Sequence, residues 1–123
     1  SLGNGRVIQT GDIQYISAGS GVVHSEFNPS EDQAVHFMQI WIEPNAQGLE
    51  PRYEDQQIIG ETDNEWKLIL SPDGRDDSMA IRQDVELRTV QLASATSIHY
   101  ETKRKGRCFW LFVLEGGDQR RRQ

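Results

Sequence analysis

The sequence predicts an all-β, mainly β-stranded domain, and three observations predict it. Short runs rich in β-branched and aromatic residues recur along the chain, each bounded by Gly, Pro, Asn or Asp. No sustained 3.6-residue apolar period marks an amphipathic helix. Two runs, Ala34 to Ile42 and Arg107 to Leu114, are apolar on both faces, the pattern of central strands buried on both sides. Such spacing belongs to a sandwich or a barrel.

Taken in order, the expected strands are Arg6 to Gln9, Ile13 to Ile16, Gly21 to Phe27, Ala34 to Ile42, Trp66 to Leu70, Met79 to Gln83, Val85 to Leu92, Ser97 to Glu101 and Arg107 to Leu114. In Ala34 to Ile42 one face carries Val35, Phe37, Gln39 and Trp41, and the other carries Ala34, His36, Met38, Ile40 and Ile42. Val85 to Leu92 puts Glu86 and Arg88 on one face and Val85 and Leu87 on the other, as a half-exposed strand does. Pro44, Gly48, Pro51 and Gly60 interrupt a polar stretch from Glu43 to Asn64, which predicts a long irregular excursion whose Pro51 to Glu54 centre packs back on the domain. Ser71-Pro72-Asp73-Gly74-Arg75-Asp76 has turn composition.

With 123 residues the chain has the size of one domain with one core. Its single cysteine, Cys108, has no intrachain partner, and no charged-then-apolar leader opens the sequence, so the expected compartment is cytoplasmic. No apolar run approaches the roughly 20 residues that cross a bilayer, which excludes a helical membrane span. A net charge of -6 argues against a nucleic-acid partner, whose phosphates need clustered Lys and Arg. The basic runs Lys103 to Arg107 and Arg120 to Arg122 read as a solvated turn and a tail, and Ser1 in a Gly-Asn-Gly turn reads as a processed beginning.

The segment Gly19-Ser20-Gly21-Val22-Val23-His24-Ser25-Glu26 alone has metal-site character. Side chains two apart on an extended chain share a side, so His24 and Glu26 project together and offer an imidazole nitrogen and a carboxylate oxygen to one divalent ion such as iron. Two donors fall short of the three or four a mononuclear centre uses. The competing reading is a half-buried His beside a rim Glu. His36 reads as a hydrogen-bonded core residue and the nearest extra donor in sequence; His99 reads as a surface residue. No activated nucleophile is visible, because there is no Gly-x-Ser-x-Gly elbow and Cys108 lies in an apolar run. Gly19 and Gly21 read as a tight bend leading to His24, since the Lys-Ser/Thr of a phosphate loop is missing.

Three stretches, in order, carry a resemblance. Gly11 through Pro29, then His36-Phe37-Met38-Gln39-Ile40-Trp41-Ile42, then Pro51-Arg52-Tyr53-Glu54 resemble the pirin family of the cupin superfamily. Leu70 to Arg75 and Gln83 to Leu87 are similar to the linker and the start of the second barrel in bacterial members. The resemblance implies a cupin-like β-barrel or jelly roll. It makes 1–123 one pirin-like cupin domain, in which 1–70 resembles the rear half of the N-terminal cupin and 71–123 the linker and start of the C-terminal cupin. It carries His24 and Glu26 over as metal ligands, while the upstream His-x-His that completes the family's site has no counterpart here.

From that resemblance the expected function is a small-molecule or protein binding module with an incomplete or lost metal centre, and no catalytic residue is assigned. Iron or another divalent metal is the cofactor only if the site is completed. The alternatives are a metal-dependent quercetinase-type dioxygenase, with donors from His36, His99 or a second subunit, and a non-catalytic regulator acting through protein contacts. Long apolar edges are expected to be satisfied either by two half-barrels closing into one hybrid barrel or by strand exchange in a dimer.

Overall fold

The structure, a computed structural model, describes residues 5–58 and 64–116. The Ser1 opening turn, the Gly60 end of the long excursion and the Arg120 to Arg122 run lie outside the described residues. Five strands form without a helix among the described residues, so no helix there is long and apolar enough to cross a membrane. They are β1 (Asp12–Ser17), β2 (Arg52–Gln57), β3 (Lys67–Ser71), β4 (Met79–Ala80) and β5 (Leu87–Thr89). β1 and β2 make an antiparallel pair; β4, β3 and β5 make a second sheet in that order.

Strand β3 is the apolar centre. Leu68, Ile69 and Leu70 are buried, and Leu70 joins Met79 and Ile81 in a core cluster. Ile13 and Tyr15, two apart on β1, lie on this cluster together with Ile42, Val85 and Leu87, so both sheets share one core. β5 runs antiparallel to β3 with an irregularity between Leu68 and Leu70. β4 runs parallel to β3, pairing Leu70 with Met79 and Ser71 with Ala80. Parallel neighbours usually need a crossover of a dozen or more residues. Here residues 72–78 suffice, because Gly74 (φ 66°), Asp76 (φ 53°) and Asp77 (φ 58°) all take the left-handed conformation that Gly, and next Asp, tolerates.

Polar groups hold that tight link. Ser71 is fully buried, with its hydroxyl 2.7 Å from that of Ser78 and 3.0 Å from Asp73 Oδ1. The Ser78 hydroxyl donates to the Arg75 carbonyl at 2.6 Å, and the Ile81 amide donates to the Ser71 carbonyl at 2.9 Å. Outside, Arg75 bridges Asp73 and Glu86, and Arg88 also reaches Glu86 at 2.8 Å. Arg75, then Arg88, hold the Glu86 carboxyl below the usual carboxylate range.

Three sequence expectations need correction. Arg52 to Gln57 is a strand, not part of an irregular excursion, registered from Asp12 opposite Gln57 to Ser17 opposite Arg52. Its pairing rests on polar contacts that leave no apolar alternation to read. The Gln14 amide donates to the Tyr53 hydroxyl at 2.8 Å, Arg6 pairs with Asp55, and the Arg52 guanidinium lies 5.9 Å from the Tyr15 ring centre. Second, Ala34 to Ile42 and Arg107 to Leu114 join no sheet, and most of their side chains are exposed, Trp41 at 86% and Trp110 at 89%, with Ile42 the member that reaches the core. A strand apolar on both faces needs a layer on each side, and none is supplied among the described residues, so His36 and Cys108 are exposed instead of packed. Third, Arg6 to Gln9, Gly21 to Phe27 and Ser97 to Glu101 form no strand, and Met79 to Gln83 and Val85 to Leu92 shrink to β4 and β5; the all-β fold class stands, its described strands forming two sheets.

The segment after β5 is nonetheless tied to the second sheet. Trp66 packs edge-on to Tyr100 and Phe109, which stack on each other 4.8 Å apart, and its indole N–H donates to the His99 carbonyl at 3.1 Å. Arg107 pairs with Asp84.

At the other end, Gly19 sits in a turn closed by the Gly21 amide on the Ala18 carbonyl at 2.8 Å. Its φ is 55°, and a Cβ there would lie 2.1 Å from the Leu49 carbonyl oxygen and 2.8 Å from the Pro51 nitrogen, where the chain enters β2. Only glycine fits. Gly48 shares the left-handed conformation (φ 68°) but has open space around it.

Gly19→Ala is therefore expected to destabilise well beyond the ~1–2 kcal/mol that left-handed backbone costs a side chain, and Gly48→Ala to stay within that range, as read by urea unfolding. Ile81→Ala should cost about 2–5 kcal/mol through a cavity in the shared core, whereas Phe27→Ala, at 83% exposure, should stay within about 0.5 kcal/mol. Because the Glu86 carboxyl is lowered in the folded state, its contribution is present above the ordinary value of 4.5 and is lost as pH falls through the folded value. Glu86→Gln should flatten the acid side of the urea-midpoint profile and leave a shallower fall below about pH 4.5.

Candidate functional site

Beyond the Gly19 turn the chain runs through Val22 and Val23 to His24 and Glu26 without joining a sheet. The two-residue spacing still brings the side chains together: His24 Nε2 lies 3.8 Å from Glu26 Oε1, and the side chains are 41% and 39% exposed. That separation lies within what two donors about 2.0–2.2 Å from one ion can span. Val23 and Phe27 flank it, both exposed, so the pair opens to solvent instead of a closed pocket.

The donor set stops there. No group of three or more His, Cys, Asp or Glu side chains able to hold a metal forms among the described residues. His36, the nearest extra donor in sequence, is exposed on the following segment and joins no such group. His99 belongs to the segment after β5, where its backbone carbonyl serves Trp66. Among the described residues, then, no set of three or four protein donors forms, and His24 and Glu26 stand as a pair.

A feature that sequence reasoning missed lies elsewhere. An open depression of about 430 Å³ is lined by Asn45, Arg52, Ile81, Arg82, Gln83 and Asp84, among others. The Asn45 amide donates to the Arg82 carbonyl at 2.8 Å and the Gln83 side chain donates to the Glu43 carbonyl at 2.8 Å, so the excursion after Ile42 forms one wall. The sequence signal was Arg52 within Pro51-Arg52-Tyr53-Glu54. His24 and Glu26 do not line it.

Known proteins share this chain's sequence over most of its length. Residues 1–42 match the family model described as Pirin, and residues 68–119 match the model of the quercetinase C-terminal cupin domain. The chain is 39% identical over 117 residues to a quercetin 2,3-dioxygenase of Escherichia coli K12, covering 94% of this chain and 49% of that protein. A putative quercetin 2,3-dioxygenase of Pasteurella multocida matches to the same extent. The chain thus spans about half the length of these curated relatives. The crystal structure of YhhW from Escherichia coli aligns with a TM-score of 0.67 at 43% identity over 72% of this chain and 37% of that one. The structure of bacterial pirin YhhW in complex with nickel(II) aligns with a TM-score of 0.65 at 42% identity over 71% and 37%. Two family models match in chain order, over a strand-only fold that superposes on a bacterial pirin, so this chain is similar to pirin-type cupin proteins through residues 1–119.

Proposed function

We propose that the chain is a pirin-type cupin binding module, for a small-molecule or protein ligand, whose metal centre is incomplete. One observation carries this reading: His24 and Glu26 stand 3.8 Å apart with no third donor grouped with them among the described residues. An exposed imidazole and carboxylate hold a divalent ion weakly, because each must be desolvated for a gain spread over only two bonds. What the pair does without a metal is bind directly. The imidazole N–H and the carboxylate offer a donor and an acceptor side by side, with Val23 and Phe27 as apolar shoulders.

A second reading, a metal-dependent dioxygenase of quercetinase type, is favoured by the names of the relatives at 39% identity and by the nickel complex of YhhW. It needs further donors, from His36, His99 or a second subunit. A metal held in that way would supply Lewis-acid polarisation at an open coordination position. A regulator acting through protein contacts would use the exposed apolar segments and no metal.

Thermal melts of the wild type and His24→Ala, each with and without Fe²⁺, Ni²⁺ or Zn²⁺, separate these readings. With an incomplete centre, the metals leave the melting temperature nearly unchanged, and His24→Ala costs no more than about 1 kcal/mol, the loss of an exposed ion pair. A complete centre would add about 2.7 kcal/mol at a hundredfold excess of free metal over Kd, lost in His24→Ala, and would establish the metal-dependent reading.

A further inference from the structure

We infer that the open depression between the excursion after Ile42 and residues 80–84 binds a small molecule through a carboxylate, with Arg52 and Arg82 as partners of the anion and Ile81 as the floor under its apolar body. The inference goes beyond the pair formed by His24 and Glu26, which does not line this depression, and it needs no metal.

Hydrogen bonds within the described residues set the shape. The Asn45 amide donates to the Arg82 carbonyl at 2.8 Å, the Gln83 side chain to the Glu43 carbonyl at 2.8 Å, and the Ile81 amide to the Ser71 carbonyl at 2.9 Å. The Arg107 guanidinium donates to the Asp84 carbonyl at 2.6 Å and pairs with the Asp84 carboxylate. Ile81 is 7% exposed and belongs to the core cluster, so the floor is apolar and fixed by the packing beneath it. The volume of about 430 Å³ falls within the roughly 300–1,000 Å³ of small-molecule sites.

Charge selects the ligand. In a chain of net charge -6, two arginines line this depression, and its acidic residue, Asp84, is already neutralised by Arg107. Arg52 is held in advance: its Nε donates to Glu54 at 2.6 Å, its Nη2 also bonds Glu54, and its guanidinium lies 5.9 Å from the Tyr15 ring centre. Its Nη1 protons remain for a ligand. Arg82 is exposed and makes no ion pair among the described residues. A phosphate is usually cradled by successive free backbone amides, but those of Asn45, Ile81 and Asp84 are already bonded to Arg82, Ser71 and Gln83. A planar carboxylate needs none of them, because it matches the parallel N–H groups of a guanidinium. An apolar body attached to it would cover Ile81 beside Pro72.

Benzoate is the probe, with benzamide as its uncharged counterpart, inorganic phosphate as a bare anion and N-acetylglutamate amide as the acidic side chain of a polypeptide. In backbone amide spectra of the isotope-labelled protein, benzoate should give saturable shifts at Asn45 and residues 80–84. Arg82→Gln should weaken it roughly fivefold, the upper end for an exposed ion pair, at unchanged melting temperature, whereas Arg104→Gln in the basic turn should leave it as it is. Benzamide should bind more weakly than benzoate. The absence of a saturable shift, equal affinity of Arg82→Gln, or shifts at His24 and Glu26 in place of residues 80–84 would each overturn the site. Tighter binding of phosphate would reduce it to an adventitious anion contact, and tighter binding of N-acetylglutamate amide would assign it to an acidic polypeptide; either result overturns the small-molecule carboxylate.

Discussion

The hydrogen bond between the Ser71 and Ser78 hydroxyls, 2.7 Å long and closed to solvent, is the contact on which the described fold turns. It staples the two ends of the link between β3 and β4, so that the chain leaves one strand and returns beside it in the same direction. Only with that link closed do Met79 and Ile81 reach Leu70, and only then does β1 have an apolar surface on which to lay Ile13 and Tyr15. Two hydroxyls buried without each other would each lose a water partner at a cost of about 1–3 kcal/mol. With the Ser78 proton given to the Arg75 carbonyl, the Ser71 proton is shared between the Ser78 oxygen and Asp73 Oδ1.

Electrostatics repeats this division of the molecule. The Asp73, Arg75, Glu86 and Arg88 ladder lies over the β3 sheet and lowers the carboxyls of Asp73 and Glu86, Arg75 being the main cause in both. Those charges serve the fold. His24 and Glu26 lie apart from that ladder on an exposed stretch, which suits a pair meant to meet a ligand more than one meant to brace a core.

What was legible in the sequence follows from what each pattern reports. Ile13 to Ile16 and Trp66 to Leu70 were readable because the apolar residues that mark them, Ile13, Tyr15 and Leu68 to Leu70, are ones the core takes up. β2 was not, because Arg52-Tyr53-Glu54-Asp55-Gln56-Gln57 is held by partners distant in sequence, Gln14 39 residues from Tyr53 and Arg6 49 from Asp55, and such pairing leaves no local trace. Ala34 to Ile42 failed in the opposite sense. An apolar pattern on two faces states what environment a segment requires, not that the chain itself provides it, and for Trp41 and Trp110 it does not. At the site, spacing was enough to bring His24 beside Glu26. The number of donors was beyond its reach, since a third ligand is a matter of tertiary approach, and neither His36 nor His99 makes that approach.

The brevity of the β3 to β4 link has a kinetic side. The whole β4-β3-β5 sheet closes within residues 67–89, whereas the β1–β2 ladder must join residues 12–17 to residues 52–57. Loop closure costs about 0.6 kcal/mol more for each doubling of the enclosed length, and local contacts form faster than distant ones. The second sheet is thus placed to order first and to present Leu70, Met79 and Ile81 as a template. The β1–β2 hairpin, with its long intervening excursion and the glycine that excursion presses against, condenses on it afterwards.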